Sequence, residues 1–172
     1  MHSSIPTPVL ARALSLVSLM ALTPACDPGD EPPPTPPAPV ERPASLDVPM
    51  KSQRGGTSHR AGENCMTCHG PNGLGPGRFT VAGTAVTSER RPNPDTTLVL
   101  STERNGGGTV VLTLEADANG NFYTTEPVPL PDTLLYPKVM NTTSGGYNFM
   151  PFSTASGACN VCHVGRMPVY LE

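Results

Sequence analysis

Two copies of one five-residue pattern carry the chemistry of this chain, Cys65-Met66-Thr67-Cys68-His69 and Cys159-Asn160-Val161-Cys162-His163. On a single helical turn, two thiols three positions apart can each add to one of the two vinyl groups of a haem. The next residue then aims its imidazole at the iron from the proximal side. The pattern therefore predicts two covalently bound haem c groups. Cys65, Cys68, Cys159 and Cys162 would form the thioethers, and His69 and His163 would be the proximal ligands. A zinc site made from the same four cysteines would not need a histidine directly after each pair. Nor would two short disulfides or a redox-active dithiol.

The far side of each iron sets potential and reactivity. His59 is the one histidine left over once the N-terminal segment holding His2 is removed, and it lies six residues before Cys65. A tether that short makes reaching over its own haem awkward, so a neighbouring haem is the expected target. Among the methionines, Met150 precedes Pro151 and lies nine residues before Cys159, which makes it the preferred sulfur candidate. Met167, four residues past His163, should start on the proximal side.

The flanking segments say where such a module would work. Residues 1–25 read as an export signal, because the apolar run Ala13–Leu22 is too short to span a bilayer, which takes roughly 20 residues. Its end, Thr23-Pro24-Ala25-Cys26, resembles the lipobox of bacterial lipoproteins, which implies lipidation of Cys26 and attachment to a membrane. Residues 26–50 join this anchor to a Pro-rich linker. Eight of the sixteen residues 28–43 are Pro, so the segment favours extended polyproline II, a stiff spacer of roughly 50 Å. Export and covalent haem agree, since attachment in bacteria occurs outside the cytoplasm. The expected location is a membrane surface facing the periplasm or the cell exterior.

Between Cys68 and Cys159, 90 residues carry short β-rich runs separated by turn signals. Phe79–Thr87, Leu98–Leu100, Val110–Leu114 and Asn121–Thr125 read as strands, with Asn119-Gly120 as a hairpin turn before the last. Leu134–Met140 reads as a further strand that Pro137 confines to a sheet edge. The expected fold is mainly β, a small antiparallel sandwich over residues 78–140. A first haem segment, 51–77, and a second, 141–172, would supply a haem-binding loop or short helix at each end. With nine residues after His163, the second pocket is expected to come from residues 140–158.

Phe79–Val86, Thr109–Leu114 and Asp117–Tyr123 resemble carboxypeptidase-regulatory-like, transthyretin-like β-sandwich domains. Residues 60–166 as a whole resemble exported c-type cytochromes in which such a sandwich separates an N-terminal C-x-x-C-H from a late G-x-C-N-x-C-H, here Gly157–His163. That resemblance implies one-electron transfer to and from redox partner proteins.

Composition agrees. The chain of 172 residues has 17 Gly, 22 Pro and no Trp, too little apolar area for a large enzyme core. Its net charge of −3 gives no basis for nucleic-acid binding. An electron carrier without substrate turnover is the expectation, open to oligomerisation into a longer wire. A dihaem peroxidase-like enzyme and a non-haem structural or metal-binding surface lipoprotein are the alternatives.

Overall fold

A computed structural model describes residues 41–163 and 167–171. The export signal, Cys26 and the Pro-rich segment up to residue 40 lie outside the described residues. Among those described, no helix is long and apolar enough to cross a membrane.

The elements in order are a 3-10 turn at Ala44–Leu46, α1 Met66–His69, β1 Val81–Val86, β2 Thr96–Ser101, a second 3-10 turn at Arg104–Gly106, β3 Val110–Glu115, β4 Asn121–Thr124, β5 Tyr136–Asn141, β6 Tyr147–Phe149, α2 Cys159–Cys162 and β7 Val169–Tyr170. They form a mainly β sandwich of two sheets, one of three strands ordered β4-β1-β7 and one of four ordered β3-β2-β5-β6. All pairings are antiparallel except β1 with β7.

Period-two alternation explains the layers. In β3, Leu112 and Leu114 point inward while Thr113 and Glu115 are exposed. Leu112 and Leu114 stand opposite Leu100 and Leu98 of β2. Val81, Ala85 and Phe122 from the small sheet meet these leucines and Val139 in one apolar core. Each such side chain contributes about 1.5–3 kcal/mol on full burial.

Two local expectations are corrected. Asp117–Gly120 does turn tightly, with Gly120 donating to Asp117 O at 2.9 Å and Asp117 Oδ1 accepting from the backbones of Asn119 and Asn121. It is not a hairpin, because β3 pairs with β2 and β4 with β1, so the turn carries the chain from one sheet to the other. Pro137 does not mark an edge either, since β5 lies between β2 and β6. Its carbonyl accepts from Met150 N, one residue past the end of β6. In a strand the amide and carbonyl of one residue face the same side. The missing N–H therefore faces a place where the β6 ladder has already stopped.

The sheets also continue beyond residue 140. β6 and β7 fall within 141–172, and β7 returns to β1 after the second C-x-x-C-H, aligning Ala85 with Val169.

Candidate functional site

Each C-x-x-C-H begins on one helical turn, as the thiol spacing requires. In the first, Cys68 N and His69 N both donate to Cys65 O, at 3.2 and 2.9 Å. Asn64 Oδ1 accepts from Met66 N at 3.1 Å and satisfies one of the free amides at the helix start. His69 is buried, and its ring stacks on Phe79 with centres 4.3 Å apart and planes within 5°. Phe79 stacks in turn on Tyr123 at 4.8 Å. His69 Nδ1 lies 2.7 Å from the carbonyl oxygen of Pro76. A carbonyl can only accept, so the proton sits on Nδ1 and Nε2 keeps its lone pair. Gly75 has to be glycine here, because a Cβ would stand 2.9 Å from both the His69 ring and Cys68 O.

The second motif repeats the arrangement on a different loop. His163 N donates to Cys159 O at 2.9 Å, and His163 Nδ1 donates to Met167 O, also at 2.9 Å. Both histidines thus have the same tautomer fixed by the same kind of bond. Such a partner orients a metal-binding imidazole and raises its basicity.

All four motif cysteines are free thiols, with Cys68 and Cys162 exposed and Cys65 and Cys159 partly buried. Cys159 packs against the core, so close that a Cβ on Gly83 would come within 2.8 Å of its own Cβ and 2.5 Å of the Phe122 ring. Burial pushes the Cys159 thiol from an ordinary 9.0 up to about 12, and burial likewise raises Cys65. The Cys159 thiolate population at neutral pH, and with it the reactivity of the thiol, falls as a result. With the thiols unmodified, iodoacetamide at pH 8 is expected to label Cys68 and Cys162 first, and Cys159 at least about tenfold more slowly. Peptide mass mapping over time checks this.

A buried polar network ties the motifs together. Asn160, between the two cysteines of the second motif, is 1 % exposed. Its Nδ2 donates to Glu63 O at 2.8 Å, two residues before Cys65, and to Thr84 Oγ1 at 3.0 Å. Its Oδ1 accepts from Thr84 N at 3.0 Å. Thr84 Oγ1 donates to Asn121 Oδ1 and accepts from Gly62 N, while Asn121 Nδ2 donates to Ser58 Oγ and His59 O. Segments far apart in sequence therefore meet on β1 and its partner β4.

A cleft opens beside each motif. The first, about 240 Å³, is lined by His59, Cys65, Cys68, His69, Phe79 and Tyr123 among others. His59 is exposed, and its ring centre lies 5.9 Å from that of His69. The structure thus sets His59 against its own motif, where the short tether had suggested a neighbouring one. The second cleft, about 460 Å³, reaches the core at Leu98 and Phe122 and holds Cys159, Cys162, His163 and Met150. Residues on both sides of the motif line it, Phe149 and Met150 upstream and Met167 to Tyr170 downstream. Around it Val161 is 56 %, Met167 66 % and Tyr170 50 % exposed, an apolar rim suited to a flat hydrophobic group.

Among the arginines, Arg54, Arg78 and Arg91 pair with carboxylates. Arg60 lines the first cleft and pairs with Glu63 at 3.0 Å, and Arg90 has no cleft contact. Sequence reasoning missed Asn160 and Arg42. A polar residue between two cysteines carries no signal of burial, and Arg42 stands where the chain still reads as linker. Among the described residues no three His, Cys, Asp or Glu side chains converge to hold one metal ion. Comparison with protein-family models, curated proteins and solved structures finds no match.

Proposed function

We propose that this chain is a dihaem c-type electron-transfer protein, exported and held to a membrane by lipidated Cys26. The observation that carries the reading is the paired imidazole geometry. The histidine directly after each C-x-x-C donates Nδ1–H to a backbone carbonyl and leaves Nε2 as a free ligand atom. The residues present fit the group. Each site supplies two thiols one helical turn apart, a fixed imidazole and an open cleft, apolar-walled at the second motif and mixed at the first, where Met50, Phe79 and Tyr123 face Thr57, Arg60 and Glu63.

Bound there, each haem iron would take up and release one electron at a time. The chain's own residues do the rest. Cys65 and Cys68, with Cys159 and Cys162, would hold the macrocycles by thioether bonds, and His69 and His163 would bind the irons. His59 and Met150 are the distal candidates, each lining the cleft of its nearest motif. The Asn160 network fixes the spacing of the two sites and so the distance an electron travels between them. The Pro-rich spacer keeps the module clear of the lipid surface, where redox partner proteins can reach it.

The test is the intact mass of protein made with c-type maturation genes, followed by a pyridine-haem spectrum. Wild type should gain two haem masses and the double variant Cys159→Ala/Cys162→Ala one. A mass with no haem overturns the proposal, and an unchanged count in the double variant overturns the second site.

A further inference from the structure

We infer that Arg42 is a positioning residue for His69, acting through the glycine-rich loop that supplies the histidine's hydrogen-bond acceptor; the inference rests on the proposed role of His69 as an iron ligand. The loop Gly70-Pro71-Asn72-Gly73-Leu74-Gly75-Pro76-Gly77 has four glycines and two prolines. Such a sequence has high backbone entropy and few side chains with which to hold its own shape. Yet the Pro76 carbonyl has to sit 2.7 Å from His69 Nδ1 to fix the tautomer.

Arg42 supplies what the loop lacks. Its side chain is 3 % exposed. Its guanidinium donates to Gly75 O at 2.6 Å, Gly77 O at 3.0 Å and Leu46 O at 3.1 Å, and also to Gly73 O. Gly75 and Gly77 flank Pro76, so the carbonyls on either side are drawn to Arg42 while the one between them accepts from His69. Asp47 aligns the guanidinium, its Oδ1 accepting from Arg42 Nε at 2.8 Å and its Oδ2 from Arg78 at 3.0 Å. A second bond braces the same corner, Gly77 N donating to Leu46 O at 2.6 Å. A planar, five-donor fork is what several carbonyls require, and a lysine ammonium cannot reproduce it.

Arg42 precedes Pro43, the last proline of the run over residues 28–43. Arg42, at the described end of that run, therefore reaches the loop behind His69.

Arg42→Lys separates geometry from charge, since it keeps the cation and loses the fork. Solvent exchange of the His69 ring Nδ1 proton, followed by NMR, is expected to become at least tenfold faster, with that of His163 unchanged. In the haem-loaded protein the potential at the first motif should rise, because an imidazole with a loosened Nδ1–H bond donates less to iron. The potential at the second motif should stay in place. Unchanged exchange at His69 in a folded variant overturns the inference, as does an equal change at both histidines, which would mean general loosening. Should Arg42→Lys fail to fold, Asp47→Asn, which removes only the aligning carboxylate, should show the same selective change to a smaller extent, and no change at His69 overturns the inference. If the protein carries no haem, the electron-transfer reading fails, and the ring-proton exchange still decides the role of Arg42.

Discussion

His59→Ala is expected to open the coordination of one haem and leave the other as it was. The ring centres of His59 and His69 are 5.9 Å apart. Two imidazoles sharing one metal need roughly 6 Å, from a metal–nitrogen bond of about 2.0 Å and about 1 Å from nitrogen to ring centre on each side. His59 is exposed at the cleft mouth, so its loss removes no core contact and the fold should survive. The next residue, Arg60, adopts the left-handed region at φ 54, uncommon for a side chain of that size, where the chain turns after His59. The readout is the fraction of haem that turns high-spin and binds carbon monoxide, expected to go from near none to about half. Met150→Ala should open the other site. A His59→Ala protein with both haems still low-spin would remove His59 from the ligand set and leave the attachment sites untouched.

Asn160→Ala should cost about 2–5 kcal/mol of stability, a large share of what a small domain possesses. Its three hydrogen bonds serve the Thr84 amide, the Thr84 hydroxyl and the Glu63 carbonyl, and the side chain is 1 % exposed. Truncation leaves the Thr84 N–H buried without a partner, at about 1–3 kcal/mol, and removes a bond worth about 0.5–1.5 kcal/mol from the Glu63 carbonyl, which keeps its contact with Cys65 Sγ. Val161→Ala, one residue along and 56 % exposed, is the control and should change stability by less than about 0.5 kcal/mol. Urea unfolding of the two variants decides it. Equal midpoints would show that the network does not join the motifs energetically.

Strands and site differed in how far they could be read from sequence. β1, β2, β3 and β4 match apolar or β-branched runs, because a strand's signal is local and repeats every second residue. The two C-x-x-C-H patterns stand out in the sequence by residue type and spacing, and the structure sets each cysteine pair on a helical turn. Long-range choices were not. The turn at Asp117–Gly120 has the residues of a hairpin, yet the core wins by drawing β3 to β2 and β4 to β1. Pro137 reads as an edge residue only if one assumes full-length ladders on both sides, and β6 is just three residues long. Arg42 and Asn160 escaped for one reason. Their roles come from carbonyls and amides 33 and 76 positions away, which composition and periodicity cannot see.

The return of β7 to β1 has a consequence for the order of assembly. The second motif is pinned to a single strand on both sides, through Ala82 with Ala158 before it and Ala85 with Val169 after it. Thr84 meets Asn160 across 76 positions, Asn93 meets Leu171 across 78, and Glu63 meets Asn160 across 97. Contacts of such high order carry their loop-closure entropy before any reward arrives, and β topologies of this kind close in milliseconds to seconds. On the proposed function, the second cysteine pair would be open to covalent attachment for as long as β7 is undocked. Docking of β7 on β1 would then hold Cys159 against the core, so closure of the fold would act as a latch on that site.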